Sequence, residues 1–319
     1  GLQESGSYVV SIITIRTAFD KVNKQGKSET FTRFENYRYT LSQRIALEQG
    51  ADPTVLDPDG YIKGYGKKSQ DVLIGAFLSA YTGTKPGEQK LNPFPRIPLP
   101  GWNVTYSGLN RNKELAKIFT NITLRHSYNS SYTAQNFTTP LSTGDTNSAG
   151  NVLPRYAIRT ISISEQLNPL ISVDVSLKNG ITGRFEFKKT RTIALELSSY
   201  RVTENRTTEV VMGLGYKTKG LRLPFKINRK RPYLPNDLNF RLDFSIRDSK
   251  NAVSEIDNVT TIPAQGNKII SINPTIDYSI TDKLNLRIFY DRRATQPVVA
   301  TSFPTAITRG GITLRYTIQ

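Results

Sequence analysis

The chain has no cysteine, and only one histidine, one methionine and one tryptophan in 319 residues. Without thiols it can build no disulfide framework, cysteine-ligated zinc site, iron–sulfur cluster or thiol nucleophile. A single histidine excludes the two-histidine zinc-protease motif. Long apolar runs are missing too: nothing approaches the roughly 18 consecutive apolar residues of a membrane-spanning helix. That absence leaves a transmembrane barrel open, since its strands need only about 10 residues of alternating character. Negative charge is scarce, with 43 Lys and Arg against 26 Asp and Glu, a net charge of +17. The start, Gly1-Leu2-Gln3, has neither an initiator Met nor the regions of a signal peptide, so a fragment of a longer chain is expected.

What is present is a two-residue period. Leu284, Leu286, Ile288 and Tyr290 share one phase, opposite Asn285, Arg287 and Asp291 with Phe289 among them. Ile270, Ile272, Ile276, Tyr278 and Ile280 oppose Ser271, Asn273, Thr275, Asp277 and Ser279. The link between these two runs, through Thr281-Asp282-Lys283, is short enough to force an antiparallel hairpin. The same pattern returns at Leu238, Phe240, Leu242, Phe244 and Ile246, at Val210, Met212, Leu214 and Tyr216, and at Ile122, Leu124, His126 and Tyr128. About eleven strands are predicted, near residues 7–19, 101–107, 119–133, 154–165, 170–178, 181–200, 207–218, 238–248, 268–280, 283–292 and 309–319.

Several of these runs keep one phase for ten residues or more, where soluble strands cluster near 5–6. Ten residues at about 3.3 Å each, tilted by about 45°, project to roughly 23 Å, close to the roughly 25 Å apolar band of an outer-membrane barrel. The phase of Ile181, Phe185, Phe187, Ile193, Leu195 and Leu197 persists across Lys188-Lys189-Thr190-Arg191, as in a strand that leaves the membrane partway. Tyr278, Tyr290 and Tyr316, near run ends, fit an interfacial aromatic girdle. The competing reading is a large soluble sandwich with unusually long strands.

Two stretches break the β pattern. Phe34, Tyr37, Leu41 and Ile45 have helical spacing over 34–48, and Ser69-Gln70-Asp71 opens a second helical run through Val72, Leu73, Ala76, Phe77 and Ala80. A partly helical insert at about 20–100 is therefore expected, leaving through the Pro-rich stretch Pro93–Pro100. Residues 138–153 and 249–267 read as solvent loops.

Catalytic chemistry finds little support. His126 lies in the apolar phase of a strand, which favours a structural or interfacial role. Gly60 to Lys68 is spaced one residue too long for a phosphate loop, and Lys68 stands where Ser or Thr would bind magnesium. Asp57-Pro58-Asp59-Gly60 lacks the closing Glu of a calcium loop and reads as a tight turn. Gly213 and Gly215, inside a strand, read as relief of crowding on the inner face of a curved sheet. No catalytic residue, cofactor or metal is expected.

The positive charge is not arranged for nucleic acid, because Arg241, Arg247, Arg287 and Arg315 alternate with apolar residues along strands. Such a charge on a lipid face costs about 2–4 kcal/mol at the midplane. The residues expected to line a lumen are Arg241, Asp243, Arg247, Asn285, Arg287, Asp291, Thr313 and Arg315. Those expected to meet lipid are Leu238, Leu242, Ile272, Ile276, Leu284, Leu286, Ile288, Leu314 and Tyr316. The basic cluster Lys226, Arg229, Lys230 and Arg231 reads either as a solvated turn or as a contact for anionic lipid, lipopolysaccharide or an acidic partner.

Several strings in shared order resemble the SprA/Sov family, the giant outer-membrane translocon of the Bacteroidetes type IX secretion system. They include Gly6-Ser7-Tyr8 with Arg16-Thr17-Ala18-Phe19, Asp71 to Tyr81, and Phe94-Pro95-Arg96-Ile97-Pro98-Leu99-Pro100-Gly101-Trp102. Further along come Asn168-Pro169-Leu170, Gly213-Leu214-Gly215-Tyr216 with Leu223-Pro224-Phe225, Phe240 to Asp248, and Asp282-Lys283-Leu284 with Thr301-Ser302-Phe303-Pro304. The likeness covers nearly the whole chain. It implies that residues 1–319 are the C-terminal arc of a very large single-chain antiparallel transmembrane β-barrel in the outer membrane of a Gram-negative bacterium. It also implies a protein-conducting channel for folded cargo that supports gliding motility. The partners implied are the remainder of the parent chain, membrane lipid and lipopolysaccharide, a membrane-embedded shuttle, a periplasmic plug and secreted cargo, with no nucleic acid.

Arg309, Gly311, Leu314 and Tyr316 fit a pattern that resembles the C-terminal assembly signal of outer-membrane barrels, and fit an ordinary alternating strand equally. With a periplasmic C-terminus, the turn at 281–282 is periplasmic and 249–267 and 293–308 are extracellular; the insert receives no side. Two other functions are open to the same sequence: a complete small porin or uptake barrel, in which 7–19 and 309–319 pair to close a ring, and a soluble β-rich adhesin.

Overall fold

A computed structural model describes residues 4–21, 28–140, 145–222, 233–257, 262–298 and 302–318. The alternating segments pair into one antiparallel sheet of ten strands. They are β1 (Ser5–Ser11), β2 (Trp102–Tyr106), β3 (Phe119–Thr138), β4 (Thr160–Leu177), β5 (Ile181–Glu196), β6 (Arg201–Arg222), β7 (Tyr233–Glu255), β8 (Ile262–Thr281), β9 (Leu284–Pro297) and β10 (Thr305–Tyr316). From β3 onward each strand lies beside its sequence neighbour, while β1 and β2 pair with the two halves of β3. The chain is all-β with a small helical insert, and among the described residues no helix is long and apolar enough to cross a membrane.

Because the apolar phase is kept over so many residues, the ladders are long: β6 and β7 pair in unbroken register from Arg201↔Glu255 to Lys219↔Asp237. The expected segments 154–165 and 170–178 are in fact one strand. β4 runs through Asn168-Pro169, which the ladder accommodates by an irregular register between Leu167 and Ile171 on its β5 side and between Arg125 and Asn129 on its β3 side. Proline is tolerated at such a break because no ladder hydrogen bond is demanded of it there. The expected loop 249–267 is also corrected. β7 continues to Glu255 and β8 begins at Ile262, since Ser249, Asn251 and Gln265 alternate in phase with their strands and pair across them despite being polar. The first strand is shorter than expected; β1 ends at Ser11 and a single 3₁₀ turn follows at Ile15–Thr17.

The insert contains α1 (Glu29–Glu48) and α2 (Gln70–Thr82), with a short α3 (Leu115–Ile118) after β2. Ser28 caps α1 by accepting the Phe31 amide at 3.1 Å. α2 closes on Gly83, whose φ of 73° is the left-handed conformation that suits glycine. α1 buries one stripe, Phe31, Phe34, Leu41 and Ile45, whereas α2 is buried all round from Val72 to Tyr81. It lies between α1 and the sheet, in a core shared with Tyr132, Ala134, Ile161, Ile163, Ile193, Leu195 and Val202. The Pro-rich exit follows β1, with the Leu99 amide donating to Ser11 O at 2.9 Å and Phe94 set edge-on to Tyr8, Phe137 and Tyr156.

Two ends of the sheet are thereby distinguished. Tyr316, the turn after Leu177 and the turn after Thr281 lie at one end; the insert packs at the other, with the turns after Glu196 and Glu255. Residues 138–153, expected as plain solvent loop, are tied to the insert where they are described. Asn151 is buried and its Oδ1 accepts the Gly66 amide at 2.9 Å, while the Val152 amide donates to Gly64 O at 2.8 Å.

Candidate functional site

The ladders sort every predicted wall residue onto one of two faces, because side chains directly opposite across a pair share a face. Phe244 faces Met212 and Ile272, Leu242 faces Leu214, and Phe240 faces Tyr216 and Ile276. Tyr278 faces Leu238 and Leu286, Ile276 faces Ile288, Leu286 faces Leu314, and Leu284 faces Tyr316. All nine residues expected to meet lipid therefore belong to a single apolar belt. Its side chains are open to the surroundings: Leu214 is 54 % and Leu314 63 % exposed. From Leu238 to Ile246 the belt rises about 26 Å along β7, or roughly 20 Å after a tilt of about 40°. A contiguous exposed apolar surface of this extent marks a membrane or an interface, not ordinary solvent.

The opposite face carries the eight residues expected in a lumen. Arg287 faces Thr313 and Asp277, Asn285 faces Arg315, Asp291 faces Arg309, Asp243 faces Gly213 and Asn273, Arg241 faces Gly215 and Thr275, and Arg247 faces Ile269. Charges of both signs alternate over it. Asp174 stands 3.6 Å from Arg125 and 3.8 Å from Arg184, Glu186 lies 3.1 Å from Arg184 and 3.0 Å from Lys188, and Glu209 meets Arg247 at 3.0 Å. Arg241 pairs with Asp243 at 2.8 Å and Arg287 with Asp277 at 3.7 Å. Exposed pairs such as these last two each contribute about 0–1 kcal/mol, so they determine how the face is wetted more than how tightly it folds. Gly213 and Gly215 provide the room expected of them. A Cβ on Gly215 would stand 2.4 Å from Thr182 Oγ1, and one on Gly213 would stand 3.3 Å from Asp243 Oδ1. An open groove of about 350 Å³ remains there, flanked by Asp174, Arg184, Arg241 and Asp243.

Arg309 and Gly311 of the expected assembly pattern fall on the polar face, Leu314 and Tyr316 on the apolar one. His126 Nδ1 donates to Leu170 O over 2.6 Å and the ring lies beside Trp102, in keeping with a structural role. Asp57 caps a tight turn, its Oδ1 accepting the amides of Asp59 and Tyr61 at 2.9 Å each. The basic cluster Lys226, Arg229, Lys230 and Arg231 lies outside the described residues; the strand ends that flank it, Arg222 and Tyr233, stand at the Tyr316 end of the sheet.

The apolar phase also carries a feature that the sequence reading missed. Beyond the belt it turns ionic, at Glu165, Lys189, Arg191, Glu204 and Arg206, before becoming apolar again beneath the insert. Arg191 and Glu165 pair at 2.9 Å with almost no exposure. Arg191 donates to Thr17 O at 2.8 Å and to Thr17 Oγ1 at 3.0 Å, while Glu165 accepts from Thr14 Oγ1 at 2.6 Å and Tyr128 OH at 3.2 Å. Arg206 Nε donates to Glu204 at 2.8 Å and its Nη1 to Asp20 O at 2.9 Å. Burial pushes the nearby Tyr81 phenol far above its ordinary range, and the Lys189 ammonium sits over the Phe19 ring. The signal was a Glu and an Arg inside otherwise apolar phases. This node fixes the segment Thr14–Asp20 to the sheet and so orients the insert.

Compared with the models of known protein families and with curated proteins, the chain matches none.

Proposed function

We propose that this chain is an arc of an outer-membrane β-barrel wall in a non-enzymatic, protein-conducting channel, as the resemblance to the type IX translocon implies. The observation that carries it is the division of one register into an exposed apolar belt and an opposite face of paired charges. In hydrocarbon every backbone group must be satisfied within the sheet, and a hydrogen-bonded β-wall does this. The paired, hydrated face offers a passing protein no continuous apolar surface on which to stick. The parent chain would complete the ring, and the shuttle, plug and cargo would be its partners.

An arc is favoured over a small complete porin by the edges. Among the described residues β10 pairs only with β9, and β1 pairs only with β3, so the two edge strands do not meet. An open edge of this length in water invites aggregation, which weighs against the adhesin. With the short turns after Leu177 and Thr281 on the periplasmic side, the insert stands on the extracellular side, against the outward surface of the wall.

Absence of native cysteine in this segment makes labelling clean. Single cysteines at Ile276 and Leu286 are expected to give spin labels accessible to lipid-borne oxygen, and those at Thr275 and Arg287 labels accessible to a water-soluble nickel chelate. The reverse pattern sinks the wall. Secretion is tested separately by deleting the parent gene: normal appearance of type IX cargo in the medium refutes the transport role while leaving the barrel standing.

A further inference from the structure

Toward the insert side the apolar face acquires cations. On each of five consecutive strands a Lys or Arg follows the last apolar residues on the same face: Lys189 lies two beyond Phe187, Arg206 four before Val210, Lys250 four beyond Ile246, Lys268 two before Ile270, and Arg292 two beyond Tyr290. At the opposite rim this face carries Tyr216, Tyr278 and Tyr316 instead.

The row has two parts. On β5 and β6 the insert uses the cations: Lys189 lies over Phe19, and Arg206 holds Glu204 and Asp20 O. On β7 to β9 none of the described helices covers them. Lys250 has only Asp248, at 3.5 Å, and Lys268 and Arg292 are exposed with no ion-pair partner among the described residues. On the same face Asp248 lies opposite Lys268 and between Lys250 and Ile246, Ile246 pairs with Ile270 below Lys268, and Arg292 lies opposite Ile272 with Tyr290 below it.

We infer that Lys250, Lys268 and Arg292 form a site for the phosphate groups of a bisphosphorylated glycolipid such as lipid A, whose acyl chains lie down the adjoining belt. A ligand for this place must be anionic at one end and apolar at the other, because the cations and the isoleucines share one surface. A guanidinium and two ammonium groups supply charge-assisted hydrogen bonds to phosphate oxygens, and a cation at the membrane surface attracts anionic lipid electrostatically. This inference rests on the barrel reading, and on the insert end lying in the outer leaflet.

The test uses the full parent chain, reconstituted in phosphatidylcholine nanodiscs with and without bisphosphorylated lipid A. Retained lipid A is counted by native mass spectrometry, and the thermal midpoint is measured in parallel. Lipid A is expected to be retained and to raise the midpoint. Lys268→Gln with Arg292→Gln should weaken retention by about fivefold for each cation removed, while Arg293→Gln, on the other face, should leave it unchanged. Equal retention by the double variant, or an equal rise in midpoint from inorganic phosphate alone, overturns the inference but leaves the barrel intact. Failure of the unaltered chain to enter nanodiscs overturns both.

Discussion

Arg191 of β5 and Glu165 of β4 meet at 2.9 Å with side chains 1 % and 3 % exposed, on the face that a few residues further along is fully apolar. Removing one partner strands the other charge away from water, a loss of about 3–5 kcal/mol, whereas replacing both with apolar groups of similar volume is often close to neutral. Glu165→Ala is therefore expected to release Thr14–Asp20 and α2, seen as faster amide hydrogen exchange in both. Glu165→Leu with Arg191→Leu should recover most of the protection. Unchanged exchange in the single variant would mean that the node does not hold the insert.

A second clamp joins the insert to the β7–β8 turn. Arg38 of α1 donates from Nη1 and Nη2 to the two carboxylate oxygens of Asp257, at 3.1 and 2.6 Å. Burial alone would raise the Asp257 carboxyl, but the Arg38 hydrogen bonds and the charges of Arg38, Lys67 and Lys68 outweigh it and hold the group below the usual carboxylate range. A depressed folded pKa contributes stability that is present above the unfolded value and lost as pH falls through the folded one. The clamp should hold at pH 5 and open only in stronger acid, exposing α1 to pepsin. Asp257→Asn tolerates the left-handed φ of 64° at this position but lacks the charge, so it should show at neutral pH the susceptibility, to trypsin, that the native chain acquires in acid.

The sheet was legible because one of its faces is apolar and the other polar, and that leaves a two-residue signature: Leu286 next to Arg287, and Ile276 next to Thr275, fall on opposite faces. Less legible were the outer ends of the strands. Ser249, Asn251 and Gln265 are polar on a hydrated face, so they look like loop although their backbones continue the ladder. Asn168-Pro169 looked like a strand end because proline removes a donor, and only the partner strands show the irregularity that absorbs it. The insert's helices were visible from their spacing. Their docking was not, because it depends on Glu165 and Arg191, 26 residues apart in sequence and neighbours only through the hairpin.

The β4–β5 turn should be sensitive to one methyl group. Gly180 has a φ of 87°, and a Cβ there would lie 2.3 Å from the Lys217 carbonyl oxygen, a backbone atom that cannot swing aside. Lys217 also donates its amide to Gly180 O at 3.0 Å, so the turn cannot withdraw without losing that bond. Gly180→Ala is expected to cost more than about 1 kcal/mol. It should lower the temperature at which the sheet unfolds, while Gly87→Ala, where a Cβ meets nothing within 4 Å, should not.

The two faces make opposite predictions for adjacent residues. Leu286 lies on the belt between Tyr278 and Leu314, whereas Arg287 lies on the charged face between Asp277 and Thr313. A cation on the lipid face costs about 2–4 kcal/mol at the midplane and less toward the rim, so Leu286→Arg should reduce the amount of folded protein in the outer membrane and its unfolding midpoint in urea. Arg287→Leu removes an exposed pair separated by 3.7 Å, whose contribution is about 0–1 kcal/mol, and should leave both nearly unchanged. In a soluble sandwich whose exposed faces both meet water, neither substitution carries the membrane penalty and the two variants should differ little. Equal folding yields for Leu286→Arg and Arg287→Leu would therefore place Leu286 outside hydrocarbon and remove the basis for a membrane wall.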